Sequence, residues 1–94
     1  MVEALRRAAR RTVGTNQTVR AVERGDAVAV FVARDAEPHV VRHLLALCGQ
    51  RGVPVHEVES MWGLGRLCGV EVGAASAAIL ADGRRPPARP AAEG

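Results

Sequence analysis

The sequence predicts an α/β fold, a three-layer α/β/α sandwich around a small, mixed four-stranded sheet, and three observations carry that prediction. Ala27-Val28-Ala29-Val30-Phe31-Val32-Ala33 is an unbroken apolar run rich in β-branched residues, bounded by Gly25-Asp26 and Arg34-Asp35. It is too short for a typical helix and reads as a central strand buried on both faces. Helix-like and strand-like patterns alternate along the chain in the order α-β-α-β-α-β-α-β, the order that builds layered α/β domains. The apolar residues are mostly Ala and Val, with Phe31 and Trp62 as the only aromatics, a composition suited to thin aliphatic layers rather than an aromatic-filled barrel.

Each element follows from local chemistry. Over residues 2–10, Val2, Leu5, Ala8 and Ala9 alternate with Glu3, Arg6, Arg7 and Arg10 at the spacing of an amphipathic helix. A short β piece at Thr12-Val13 delivers the chain to a turn at Gly14-Thr15. Thr15 or Asn16 is expected to cap the next helix, which ends at Gly25. After the central strand, Asp35-Ala36-Glu37-Pro38 opens a helix with Asp35 read as a cap. Its apolar stripe is Val40, Val41, Leu44, Leu45, Leu47 and Cys48, and it ends near Gly49–Gly52. Residues 53–58 alternate as a second strand, with Pro54 near its start. Ser60 caps a short helix from Met61 to Cys68, Gly69–Gly73 is a glycine-bounded loop, and 74–81 reads most naturally as the last strand, although periodicity over 74–78 fits a helix as well.

Ninety-four residues hold one domain. We assign it to residues 1–82, followed by a flexible Arg/Pro-rich tail over 83–94, where Ala and Pro are the only apolar side chains. All thirteen basic residues are Arg and the net charge is +3. Guanidinium forks bind phosphate and guanine edges bidentately, as an ammonium cannot. In residues 3–24, six arginines face two glutamates, a local charge of +4, so this is the expected polyanion-facing end. Cys48 and Cys68 are too few and too far apart for a zinc cluster, and read as reduced, buried thiols. No apolar stretch reaches the roughly 18 residues needed to span a bilayer, and no signal pattern opens the chain. A cytoplasmic protein is expected. The chain lacks G-x-S-x-G, a P-loop or a carboxylate pair, so a binding protein is expected rather than an enzyme, without cofactor or metal.

Gly14-Thr15-Asn16-Gln17-Thr18-Val19-Arg20 resembles the G-x-N-E-x-x-K signature of the ribosomal L-seven-Ae / L-thirty-e family of kink-turn RNA-binding proteins, and it lies where that family places it, from a turn into the second helix. Three further stretches agree in order and spacing. Ala33–Pro38 is similar to the family's A-x-D-x-x-P, Ser60–Gly65 to its loop-to-helix segment ending L-G, and Gly69–Ala75 to its RNA-facing loop. The resemblance covers residues 3–82 and implies an L-thirty-e-like fold. Gln17 and Arg20 stand where the archaeal and eukaryotic pattern has Glu and Lys; Gln at that place resembles the bacterial branch and bears on RNA preference more than on binding mode.

The implied target is structured RNA with sheared G·A pairs beside a sharp bend. Regular A-form RNA hides its base edges in a deep, narrow groove, and such a distortion exposes guanine O6 and N7. Asn16 and Gln17 can donate amide hydrogens to those edges, and Arg20, about one turn on, can fork to phosphate or guanine. Gly14 gives the turn, and Thr15 and Thr18 offer hydroxyls to sugar or phosphate. Arg11 and Arg34 offer backbone contacts, and Val70, Glu71 and Val72 form a second contact surface. A monomer is expected, with no membrane or DNA partner. A structural protein of the large ribosomal subunit is the alternative, and a metabolite-binding or enzyme-associated domain of similar fold a more distant one. Blander readings stand beside these. Asn16-Gln17 also fits a plain helix cap, Arg6, Arg7, Arg10 and Arg11 a solvated helix face, and Val70 and Val72 core positions. His39 and His43 fit a surface pair, and Trp62 a half-buried neighbour of the RNA face.

Overall fold

The computed structural model describes residues 2–81 and leaves the 83–94 tail outside the described residues. Its elements run α1 (Val2–Arg7), β1 (Arg11–Val13), α2 (Thr15–Arg24), β2 (Ala27–Ala33), α3 (Pro38–Arg51), β3 (Val55–Val58), α4 (Met61–Leu67) and β4 (Ser76–Leu80). This is the anticipated order. The four strands form one sheet in the order β1-β4-β2-β3. β2 and β3 are parallel, joined by the α3 crossover, while β4 runs antiparallel to both β2 and β1. Helix α2 packs on α3 and on β1, β2 and β4, whereas α4 packs on α1 and on β2, β3 and β4. Two helical layers therefore enclose the mixed sheet.

The core is aliphatic and built around one aromatic. Phe31, Leu5, Leu44, Leu64, Val22 and Val30 are fully buried, and Ala29, Ala77 and Ala78 let the layers approach closely. Burial of each large side chain is worth about 1.5–3 kcal/mol, so these few residues dominate the cohesion of a small domain. The His56 ring lies 5.4 Å from that of Phe31, which places it under the sheet rather than near His39 and His43 on α3.

Local departures from expectation have physical causes. The first helix stops at Arg7 instead of residue 10: the chain must turn to enter the sheet, where the Arg10 carbonyl accepts from the Leu80 amide. Strand β2 is not buried on both faces throughout. A register shift between Ala27 and Ala29 leaves Val28 52% exposed, and full burial begins at Ala29. The α3 stripe is narrower than its apolar residues allow, with Val41, Leu44, Leu47 and Cys48 inside and Val40 and Leu45 exposed. Asp35 caps a helix, but not the one that follows it. Its carboxylate accepts from the Met61 amide at 2.8 Å, tying the end of β2 to the start of α4, while Glu37 occupies the N-cap position of α3 without a side-chain cap bond. Ser60 caps α4 as anticipated, accepting from the Gly63 amide at 2.9 Å.

Candidate nucleic-acid interface

The segment Gly14–Arg20 begins with a backbone that only glycine adopts comfortably. Gly14 has φ 101° and ψ 150°, and it serves as the N-cap of α2 with no side-chain cap. The cap expected of Thr15 or Asn16 is therefore absent, because both are already inside the first helical turn. The leading N–H groups of α2 have no intrahelical acceptor, which leaves a donor-rich, partly positive end beside the amides of Asn16 and Gln17. Both residues are exposed, as is Arg20. Arg20 lies between two open concavities. Asn16, Val19, Glu23, Val40 and His43 join it on the α3 side, and Gln17, Arg11, Thr12 and Arg24 on the β1 side.

Thr18 is not available for sugar or phosphate. It is fully buried, and its hydroxyl meets the Thr12 hydroxyl at 2.8 Å and donates to the Gly14 carbonyl at 2.8 Å. Helical periodicity explains the correction: with Ala21 and Val22 facing the core, a residue three or four positions earlier must face it too. Thr18 acts instead as an internal brace for the turn.

The second predicted segment arrives beside the first through one residue that the sequence reading passed over. Ser76, the first residue of β4, accepts from the Gly14 amide through its carbonyl at 2.8 Å, and its hydroxyl meets that of Thr15 at 2.8 Å. The 69–73 loop leads directly into it. In that loop Val72 is 66% exposed, Glu71 is exposed and Val70 is half-buried. Gly65, buried within α4, allows the loop to lie down: a Cβ there would run into the Val72 carbonyl. The signals for both were present, a lone hydroxyl in the run Ala74-Ala75-Ser76-Ala77-Ala78 and a glycine in mid-helix, where it costs up to about 1 kcal/mol unless close approach requires it.

The positive N-terminal quarter is largely occupied internally. Arg6 and Arg7 lie 4.0 and 3.4 Å from Glu3, and Arg24 lies 3.2 Å from Asp26. Arg10 donates to the Ala81 carbonyl. Arg11 is part-buried and donates to the carbonyls of Ala8 at 3.0 Å and Cys68 at 2.9 Å, so its guanidinium is a structural clamp with limited reach for phosphate. Among the described residues, Arg20 is the member of this group without an ion pair or hydrogen-bond partner. Arg34 sits apart from α2, 3.7 Å from Glu57 in a groove formed with Pro38, Val41, Arg42 and Leu45. Exposed pairs of this kind are worth about 0–1 kcal/mol, so Arg6, Arg7 and Arg34 remain exchangeable toward a polyanion.

Both cysteines are buried and free. Burial pushes the Cys48 and Cys68 thiols up, partly opposed at Cys68 by the neighbouring Arg11 guanidinium, a basic neighbour that the linear sequence did not reveal. No group of three His, Cys, Asp or Glu side chains among the described residues is placed to hold a metal ion. No helix among them is long and apolar enough to cross a membrane.

Residues 1–86 match the family described as ribosomal protein L7Ae/L30e/S12e/Gadd45. The chain is 41% identical over 78 residues to the RNA-binding protein YbxF of Geobacillus stearothermophilus, covering 83% of this chain and 95% of that protein. It is 48% identical over 71 residues to the large ribosomal subunit protein eL8 of Halobacterium salinarum, covering 74% of this chain and 59% of that one. The solved structure of the 15.5kD RNA binding protein of Giardia lamblia superposes with a TM-score of 0.75 at 34% identity, covering 87% of this chain and 69% of that one.

Proposed function

Because the chain belongs to the ribosomal protein L7Ae/L30e/S12e/Gadd45 family, we propose that it is an RNA-binding module that grips a kink turn between the start of α2 and the 69–73 loop. The observation that carries this reading is their juxtaposition: Ser76 bonds to both Gly14 and Thr15, so the exposed amides of Asn16 and Gln17 and the exposed Val72 belong to neighbouring elements. Asn16 and Gln17 donate to the O6 and N7 edges of sheared G·A pairs, and Arg20 forks to phosphate or guanine from between them. The uncapped helix end draws in a phosphate. Thr15 and Thr18 act through the turn they brace, Arg11 holds the scaffold, and Arg34 adds charge from the β2 end. Val70, Glu71 and Val72 meet the unpaired nucleotides at the bend.

Such a site works by selection of shape. It has more to offer the bent RNA than the straight form, and only that difference in affinity moves a flexible duplex toward the kink. The chemistry required is recognition and bending, for which no nucleophile, cofactor or metal is needed. A gel-shift titration at fixed salt, comparing a kink-turn duplex with a duplex whose G·A pairs are replaced by Watson–Crick pairs, tests the reading. Strong preference for the kinked RNA is expected, and equal weak binding to both would overturn it. The similarity to a large-subunit protein favours a ribosomal site as the second reading. Co-sedimentation with large subunits that survives high salt would support that role.

A further inference from the structure

Trp62 is the only tryptophan of the chain, and it stands on α4 with 54% of its surface exposed. Its ring has no aromatic or cation–π partner among the described residues, where the ring contact is that of Phe31 with His56. One turn further along α4, Arg66 is exposed and carries no ion pair among those residues. Trp62, Arg66, Val70 and Glu71 together line an open concavity of about 220 Å³. Enclosed small-molecule sites run to about 300–1,000 Å³, so this surface is too small and too open for a ligand held on all sides. It has room for one planar group laid flat against an indole.

We propose that Trp62 is a stacking platform for one unpaired nucleobase of the RNA, with Arg66 taking the phosphate beside it. This deepens the RNA-binding reading above and rests on it. Val70 and Glu71 belong both to this concavity and to the loop assigned to the bend, so a nucleotide leaving that loop arrives at the indole without crossing other surface. Charge sets its orientation. The Glu71 carboxylate repels phosphate on the loop side, and the Arg66 guanidinium attracts it on the helix side, which leaves the base over Trp62. Stacking on an aromatic face tolerates any base, so the platform adds affinity and holds the bend without adding sequence preference.

The sole tryptophan makes the platform directly observable by its own fluorescence. The full chain is titrated with a kink-turn duplex and with copies carrying an abasic site at each unpaired position in turn. Trp62→Leu and Trp62→Phe are taken through the same series by gel shift. The intact RNA is expected to quench the fluorescence, and one abasic position is expected to abolish the quench and weaken binding at least about 5-fold, the lower end for loss of one stacked base. Trp62→Leu should bind intact RNA as weakly as the wild type binds that abasic copy and be indifferent to the missing base, with Trp62→Phe restoring part of the difference. If the wild type prefers the kinked duplex but no abasic position changes the quench, or if Trp62→Leu binds with wild-type affinity, the platform is wrong and the RNA-binding reading survives. No preference for the kinked duplex would overturn both.

Discussion

At Thr18 a residue of the Gly14–Arg20 segment turns inward, and its hydroxyl joins Thr12 and the Gly14 carbonyl in a buried network. Removing one member strands the other. Thr18→Val is therefore expected to lower stability by about 1–3 kcal/mol, because the Thr12 hydroxyl is left buried without a partner. Chemical denaturation measures this, and the Thr12→Val/Thr18→Val double variant should be less destabilised than the single effects sum to. Gly14 belongs to the same unit. At φ 101° and ψ 150° a side chain is strained, so Gly14→Ala should cost about 1–3 kcal/mol and loosen the turn that presents Asn16 and Gln17. No such stability loss is expected for Asn16→Ala, since Asn16 is exposed and makes no cap bond.

Between elements, the α4 contact with the 69–73 loop is the joint on which the second half of the proposed interface depends. In an ordinary helix, replacing glycine by alanine stabilises by about 0.5–1 kcal/mol. At Gly65 the sign should reverse, because the added Cβ meets the Val72 carbonyl and the loop must lift. Thermal unfolding of Gly65→Ala should show a lowered midpoint, together with weaker RNA binding; a raised midpoint would contradict the packing described here. The element order was legible in the sequence because the signals are local: the Ala27–Ala33 run, the Ser60 cap and the glycines at 25 and 52. The turn at Gly14 into α2 and the loop at 69–73 were legible too, as local geometry marked by their glycines. What stayed hidden was pairwise and long-range. Ser76 on Gly14 and Thr15, Asp35 on Met61 and Arg11 on Cys68 join residues far apart in the chain, and no periodicity encodes such partners.

For the whole molecule, two buried thiols link stability to alkaline pH. Both are raised above the ordinary value of 9.0, so the folded state holds these protons more tightly than the unfolded chain. The stability they contribute is complete below that value and is lost as pH rises through the folded values. Denaturation curves should therefore weaken above about pH 9, and thiol reagents near neutrality should react at the rate of global opening. The distribution of arginine sets a second property of the whole. With Arg11 clamped inside and Arg20 without a partner among the described residues, Arg20→Ala should flatten the salt dependence of RNA affinity by about one unit of slope, while Arg11→Ala should mainly lower stability. The central claim, that the start of α2 reads sheared G·A pairs, is tested most directly by measuring wild type and Asn16→Ala against kink-turn RNA and its Watson–Crick-paired counterpart at one salt concentration. A preference for the kinked RNA that shrinks about 5- to 150-fold in Asn16→Ala, with little change in affinity for the paired duplex, is the predicted result. An undiminished preference would contradict the account.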